Sequence, residues 1–228
     1  MEQTIQLNLD EALRYAGVRS PVPDDLRARA EVLSQMMRQR VMPRYTWRMS
    51  PLVHQGNTPV LAAADILLPG GTAERMLADC DSAAVLVSTL GTSFDTLLRQ
   101  TEARDMAEAL LLNGCGAAYV EAACNAAERE IAARFPQKYL TDRFSPGYGD
   151  LPLSIQASLL SVTDASRRLG VTLSDSCLMN PVKTVTAIIG LSDHPQQAKI
   201  RGCNYCTLRM HCQLRKAGKS CGESTDFS

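Results

Sequence analysis

One short segment combines residue types that suit the binding of a small polar ligand. It runs in the order Arg143-Phe144-Ser145-Pro146-Gly147-Tyr148-Gly149-Asp150. An arginine offers a planar set of donors that matches a carboxylate. The Pro-Gly pair predicts a tight turn whose backbone a ligand can approach closely, and a tyrosine ring attracts cations such as a sulfonium. The segment therefore predicts a binding site for a ligand that carries a carboxylate.

Four of the eight cysteines crowd into the C-terminal end of the chain and form a second candidate site. They are Cys203, Cys206, Cys212 and Cys221. Such a group of thiolates favours zinc or an iron–sulfur cluster, with His211 as a substitute ligand, and free thiols are the alternative. From Lys199 to Gly222 there are also six basic residues and no acidic one. That charge pattern suits either an acidic partner or a solvated face.

Composition places the chain among ordinary globular proteins. Its 228 residues suffice for one sizeable core. Because 24 basic residues balance 24 acidic ones, net charge indicates neither nucleic acid nor a membrane surface as a partner. The first residues do not resemble a signal peptide, and no apolar run is long enough to span a membrane. We expect a cytoplasmic protein with one domain over 1–198 and a Cys-rich tail over 199–228.

The elements upstream of the Arg143 turn are predicted to be strands and helices in alternation. Alternating apolar residues predict a strand over 5–9, which leads into a helix over 10–16. A second helix should follow Pro23 and end before Pro43, with an edge strand directly after it. These elements bring the chain to its most apolar part.

The longest helical stretch is predicted between residues 94 and 135, after a buried strand over 82–88. Gly114 and Gly116 interrupt this stretch, and they indicate either two helices or a close crossing against another backbone. Many small residues surround them. The helix is therefore expected to pack in the interior.

Downstream of the Arg143 turn, a helix and two strands are expected. Pro152 suits the first position of a helix that closes at Gly170. Strands follow over 171–173 and 183–189. The overall prediction is an α+β fold, with long helices packed on a twisted, largely antiparallel sheet. The remaining cysteines lie among apolar or small residues and should pack as small apolar side chains: Cys80, Cys115, Cys124 and Cys177.

Three blocks occur in order along the chain. They are R-x-x-P-G-Y from Arg143, L-S-D-S-x-x-M-x-P over 173–181, and K-T-V-T over 183–186. Their order and spacing resemble the activation domain of cobalamin-dependent methionine synthase, in which the blocks are roughly R-P-A-P-G-Y, L-T-E-S-x-A-M-x-P and S-V-S-G. The resemblance is good over residues 80–190. The short form with a Cys-rich tail looks like a standalone variant.

The resemblance implies a function in methionine biosynthesis. The family's activation domain binds S-adenosylmethionine and presents its methyl group to inactive cobalamin, with an electron from a reductant. The D-x-H-x-x-G pattern for cobalamin does not occur in this chain. Cobalamin is therefore implied to arrive on a partner, either a methionine synthase or a related corrinoid protein. An iron–sulfur cluster in the tail would donate this electron in place of a separate redox partner. The chain would then be a component of a methyltransferase.

The resemblance also implies roles for individual residues. Arg143 resembles the arginine that holds the methionyl carboxylate. Glu121 lies in a segment similar to an A-E-A helix of the family, where it meets the ligand's amino or ribose groups; a solvated helix face is the alternative. Gly149-Asp150-Leu151 stands where the family has Pro-Ala-Cys. The turn residues implied to line the ligand are Ser145, Pro146, Gly147 and Tyr148.

Two other hypotheses remain open at this point. The chain is either the reactivating component or a non-catalytic docking subunit of a split methionine synthase, and binding of S-adenosylmethionine separates the two. A third hypothesis makes the basic tail a zinc knuckle for nucleic acid. The tail has few aromatic residues apart from Tyr205 with which to stack bases, which argues against it.

Overall fold

The computed structural model describes residues 5–19 and 21–196. The helices in this part of the chain are α1 (Leu9–Tyr15), α2 (Asp24–Arg40), α3 (Gly71–Leu77), α4 (Gly91–Glu102), α5 (Met106–Arg134), α6 (Gln156–Val162) and α7 (Ala165–Leu169). The strands are β1 (Arg44–Gln55), β2 (Thr58–Leu61), β3 (Ile66–Leu67), β4 (Ser82–Thr89), β5 (Tyr139–Leu140), β6 (Thr172–Leu173), β7 (Met179–Asn180) and β8 (Thr184–Ser192). A turn of 3-10 helix, Leu153–Ile155, leads into α6.

The main sheet is antiparallel at every pairing between described strands. Its strands stand in the order β3-β2-β1-β4-β8-β5, while β6 and β7 pair separately. β4 and β8 each lie between two other strands, and both are almost wholly buried, with apolar residues through their centres. A short apolar run of this kind is typical of a strand covered on both faces. The predicted α+β fold with a largely antiparallel sheet is confirmed.

Helices cover the two faces of the sheet. Alternate residues of β4 point to opposite sides: Ala84 and Leu86 pack in the cluster under α5, while Ala83 and Val85 pack in the cluster with α3 and α6. The buried residues on the α5 side are Ala84, Leu86, Cys124, Ala127, Ile131, Ala187, Ile189 and Leu191. The helix with the small residues is thus an interior element, as predicted.

Neighbouring helices cross the N-terminal half of α5 at close range. A Cβ on Gly114 would lie 2.4 Å from the carbonyl oxygen of Ala12 in α1. One on Gly116 would lie 2.2 Å from the ring of Phe94 in α4. Carbon atoms prefer separations of about 3.5–4.0 Å, so neither position has room for a side chain. The two glycines mark a close crossing within one continuous helix, which decides between the alternatives that the sequence left open.

The predicted strand at the start of the chain is wrong for the residues that the structure describes. Residues 5–8 have no strand conformation, and α1 begins at Leu9. The side chain of Asn8 accepts a hydrogen bond from the N–H of Glu11 at 3.1 Å and caps the helix. Capping by a short polar side chain favours a helix start over a strand at this point.

Two helix boundaries also differ from prediction. The segment 94–135 breaks at residues 103–105, before the glycines, where Asp105 caps α5 through the N–H groups of the first helical turn. The helix expected from Pro152 to Leu169 divides at Asp164, which adopts a positive φ of 55°. Gly170, with φ of 71°, ends α7 as predicted.

A strand over residues 44–49 is confirmed, but it is the first half of β1, which extends to Gln55 and stands third in the six-stranded sheet. β1 pairs with β4 from Arg44 to Pro51 and with β2 only from Leu52 onward. Residues 44–49 therefore pair on one side only, as far as the described strands show. Across residues 5–19 and 21–196, no helix has the length and apolar character needed to cross a membrane.

Candidate functional site

One flank of α5 presents a column of polar side chains. Glu121, Asn125 and Glu128 follow one another at spacings of four and three, so they share a helix face. The guanidinium of Arg143 enters from the loop after β5. Its Nη1 donates to Asn125 Oδ1 at 2.7 Å and lies 2.8 Å from Glu128 Oε1, while its Nη2 donates to Glu121 Oε2. The predicted ligand residues Arg143 and Glu121 are thus bonded to each other. We call the side chains of Glu121, Asn125, Glu128 and Arg143 the Arg143 cluster.

The Arg143 cluster is largely buried. The Arg143 side chain is only 10% exposed, against 30% for Glu121 and 19% for Glu128. Burial lowers the pKa of the Arg143 guanidinium, but the carboxylates, first that of Glu128, raise it by more, so the pKa lies above its ordinary value. Two carboxylates surround one guanidinium. The cluster therefore holds its arginine firmly and keeps an excess of negative charge.

The turn that follows is held together by its own backbone. The N–H of Tyr148 donates to the carbonyl of Ser145 at 3.0 Å, and the N–H of Gly147 donates to that of Leu151 at 2.9 Å. Gly147 has a φ of 85°, which residues with a Cβ rarely adopt. Because these donors are engaged within the turn, a ligand here would meet the Tyr148 side chain, 43% exposed. Pro146 is buried and Ser145 is half-buried.

Asp150 fastens the turn to the start of α3. Its carboxylate accepts hydrogen bonds from the N–H groups of Gly71 at 2.7 Å and Thr72 at 2.9 Å. Hydrogen bonds from Thr72, and then from Gly71, lower the pKa of Asp150 to about 2. A Cβ on Gly149 would lie 2.3 Å from Thr72 Oγ1. The residues that depart from the family pattern at 149–150 are therefore those that seat the turn on α3.

The second sequence block forms the turn between β6 and β7, and the residue directly after the block bonds to α4. The hydroxyl of Ser174 accepts a hydrogen bond from the N–H of Leu178 at 3.0 Å and closes the turn between β6 and β7. Further along, the N–H of Val182 donates to Asp95 Oδ2 in α4 at 3.2 Å. The Val182–Asp95 bond ties the chain just before β8 to α4.

The opposite flank of α5 carries another polar cluster, beside β1. Glu130 accepts from the hydroxyl of Tyr45 at 2.8 Å and from Nε1 of Trp47 at 3.1 Å. The Arg134 guanidinium lies 5.6 Å from the centre of the Trp47 ring, and Phe135 meets that ring edge-on. A cavity of about 550 Å³ opens among these side chains and β1. This polar cluster was not predicted from the sequence. We call the region the Trp47 edge: β1 residues 44–49 with Glu130, Arg134 and Phe135.

Three of the four cysteines in the described residues pack as predicted, whereas Cys177 is only half-buried. Cys80, Cys115 and Cys124 are buried, and burial raises the pKa of the Cys115 thiol to about 11 and that of Cys124 to about 12. Within 5–19 and 21–196, no three His, Cys, Asp or Glu side chains are grouped to hold a metal. The candidate metal ligands lie outside the described residues, and their role stays a prediction: Cys203, Cys206, Cys212 and Cys221.

Comparison with known proteins supports the fold through structure alone. No protein-family model and no curated protein matches the chain. A solved structure does match: the crystal structure of the MetH reactivation domain bound to AdoHcy, with a TM-score of 0.63 and 14% sequence identity. The match covers 93% of this chain and 83% of that one. The chain has the fold of that domain.

Only part of the Arg143 cluster was predicted from the sequence. Arg143 and Glu121 were predicted to be ligand residues, whereas Asn125 and Glu128 were not, although their spacing from Glu121 is that of one helix face. Asp150 entered only as a departure from the family pattern. Its role depends on Thr72 and Gly71 at the start of α3, which lie 78 and 79 positions before it along the chain.

Proposed function

We propose that this protein binds S-adenosylmethionine and takes part in the reactivation of cobalamin carried by a partner protein. The observation that carries the proposal is the R-x-x-P-G-Y turn, whose arginine meets Glu121 in a fold like that of a reactivation domain bound to AdoHcy. The partner would be a methionine synthase or a related corrinoid protein. S-adenosylmethionine would supply the methyl group.

The described residues fit part of such a ligand as they stand. The exposed ring of Tyr148 can face a sulfonium. Glu121, which is 30% exposed, supplies negative charge for a sulfonium or an amino group. Gly147 places no side chain over the turn. These residues would bind and orient the ligand.

Arg143 fits the ligand only after an exchange of partners. Its guanidinium already bonds Glu121, Glu128 and Asn125. We propose that a ligand carboxylate displaces Glu128 or Glu121 from this guanidinium. The displaced side chain would keep access to water, since both carboxylates are partly exposed. We infer that Arg143 accepts the ligand in competition with its own chain.

Calorimetric titration with S-adenosylmethionine, and separately with AdoHcy, tests the proposal. We expect saturable binding that Tyr148→Ala weakens strongly. Tyr139→Ala is the matched control, because Tyr139 is another exposed tyrosine, 48% exposed and located in β5. Absence of binding by the full-length protein, or equal weakening by both variants, would contradict the proposal.

The Glu128→Gln variant tests the competition for Arg143. If the ligand carboxylate displaces Glu128, the neutral amide is a weaker competitor, so the variant should bind S-adenosylmethionine more tightly. If Arg143 serves only to join its loop to α5, the affinity should stay unchanged. Circular dichroism on the same samples confirms that the variant is folded.

A docking subunit without ligand is the second candidate function. The observation that favours it is that Arg143 already pairs with two carboxylates and an amide of its own chain before any ligand binds. Binding of a corrinoid protein without any binding of S-adenosylmethionine, in the binary or the ternary mixture, would select this function over the first.

A further inference from the structure

A cavity of about 550 Å³ lies on the edge of the sheet rather than over one of its faces. It is lined by five consecutive residues of β1, from Tyr45 to Met49, together with Glu130, Arg134 and Phe135 of the α5 end. Successive side chains of a strand point to opposite faces. A cavity in contact with all five must therefore run along the strand edge. A second cavity of about 390 Å³ continues past Pro43, Arg44 and Arg168.

This edge has backbone groups available for another strand. Pro51 lacks an N–H, and its carbonyl accepts from Ala62 at 2.9 Å on the side away from β4. The β1–β4 register runs without a break from Arg44 to Pro51. Because the direction of backbone groups alternates along a strand, Tyr45, Trp47 and Met49 share the direction of Pro51. Their N–H and carbonyl groups face the cavity, and no described strand pairs with them.

The charge along this edge is positive although the whole chain is neutral. Four arginines line the two cavities, Arg44, Arg48, Arg134 and Arg168, against a single carboxylate, that of Glu130. Glu130 already accepts hydrogen bonds from Tyr45 and Trp47. The side of the strand that carries Tyr45 and Trp47 is aromatic, whereas the other side carries the β1 arginines. An occupant should match both sides.

We propose that the Trp47 edge binds an extended acidic segment of a partner protein as an additional antiparallel or parallel strand. Backbone hydrogen bonds to Tyr45, Trp47 and Met49 supply affinity, and alternate side chains supply specificity. On the α5 side the segment presents apolar residues to Trp47 and Phe135. On the other side it presents carboxylates to Arg44 and Arg48. This surface is separate from the Arg143 cluster and does not rest on the function proposed above.

Charged residues on an edge strand also serve to prevent edge-to-edge association. If that is the sole role of these arginines, no peptide should bind. The chain contains one tryptophan, Trp47, so its fluorescence reports directly on this edge. We would titrate the full-length protein with a short capped peptide of alternating valine and glutamate. The control peptide has the same composition with the two residue types in separate blocks.

We expect a saturable change in Trp47 emission with the alternating peptide and slower amide hydrogen exchange at Tyr45, Trp47 and Met49. An Arg44→Glu/Arg48→Glu variant should bind at least about tenfold more weakly. Its matched control is Arg99→Glu/Arg104→Glu, which changes the charge equally at exposed positions near the α4–α5 junction. Equal binding of the block peptide, or equal weakening by the control variant, would overturn the proposal.

A proline at position 49 tests the strand geometry. Met49→Pro should remove one outward N–H while leaving the β1–β4 hydrogen bonds intact, since proline is tolerated where an edge N–H faces away from the sheet. It should weaken peptide binding more than Met49→Ala. A homodimer that forms through this edge and excludes the peptide, seen by sedimentation and disrupted by Met49→Pro, would overturn the proposal in favour of a second copy of the chain.

Discussion

The two flanks of α5 pair their charged side chains in opposite ways. On one flank, a buried guanidinium, that of Arg143, lies between Glu121 and Glu128. On the other flank, Glu130 accepts from two neutral donors, Tyr45 and Trp47, while an arginine stays outside on the ring. The first flank is filled by charge pairing. The second leaves a cavity beside an open strand.

This difference separates a site that must rearrange from one that is already open. A ligand at the Arg143 cluster competes with carboxylates of the same chain, and breaking a buried ion pair is expensive. At the Trp47 edge, the cations are exposed and the backbone groups of β1 point outward. We therefore expect mutations on the first flank to affect stability most, and those on the second to affect binding most.

The largest expected effect is on stability and comes from Arg143→Met. The substitution leaves Glu121 and Glu128 without their cation, so the free energy of unfolding should fall by about 3 kcal/mol. Arg134→Met on the other flank should cost less than about 1 kcal/mol, because that guanidinium is exposed. Urea unfolding followed by circular dichroism measures both. Equal losses would remove the distinction between the flanks, and adding Glu128→Gln to Arg143→Met should recover part of the loss.

The anchor of the turn gives a smaller effect that depends on pH. The pKa of Asp150 is lowered to about 2 by hydrogen bonds from Thr72 and Gly71. The contribution of the charged Asp150 carboxylate to the free energy of unfolding is therefore present above its ordinary pKa, near 4. It is lost as pH falls toward 2. The urea midpoint of the native sequence should fall more steeply between pH 4 and 2 than that of Asp150→Ala. Parallel curves for the two proteins would show that the cap contributes nothing.

On the other flank, the sign of the pH effect is reversed. Burial, and then the hydrogen bond to Glu130, raises the pKa of Tyr45 to about 12. The neutral hydroxyl thus favours the folded state below pH 10, and this contribution is lost as pH rises from 10 to 12. Tyr45→Phe should make the urea midpoint less sensitive to pH in that window. Tyr139→Phe serves as the control, and equal slopes in Tyr45→Phe and the native sequence would count against the Tyr45–Glu130 bond.

The smallest effect on the domain is expected from the tail. If Cys203, Cys206, Cys212 and Cys221 bind a metal, anaerobically purified protein should carry about one zinc ion or cluster per chain. A Cys203→Ser/Cys206→Ser variant should lose it without a shift in the urea midpoint of the domain. Elemental analysis and the visible absorption spectrum measure the metal. Metal-free native protein would rule the hypothesis out.

Much of the architecture could be predicted from local patterns. The buried strand β4 is an uninterrupted apolar run, and Gly170 ends α7 through its own positive φ. The small residues of α5 indicated an interior helix. Each of these features depends on residues that are close together in the chain. For that reason the sequence alone predicts them.

The boundaries that were wrong also have local causes, but weaker ones. Asn8 and Asp105 each cap a helix, and both signals were present in the sequence. Apolar alternation over 5–9 and the glycines of α5 outweighed them in the prediction. Periodicity over a few residues cannot distinguish a strand from a chain that packs its apolar residues irregularly.

The sequence by itself determined the fold class, the interior position of α5 and the Arg143 turn, because these follow from composition and spacing within one element. Only the tertiary structure decided which groups share a site. It placed Arg143 between carboxylates of a helix about 20 residues upstream, and it seated Asp150 on α3. It also left one side of residues 44–49 without a described partner strand. The physical reason is that ion pairs, helix caps between distant segments and strand edges depend on how elements pack, which no local pattern encodes.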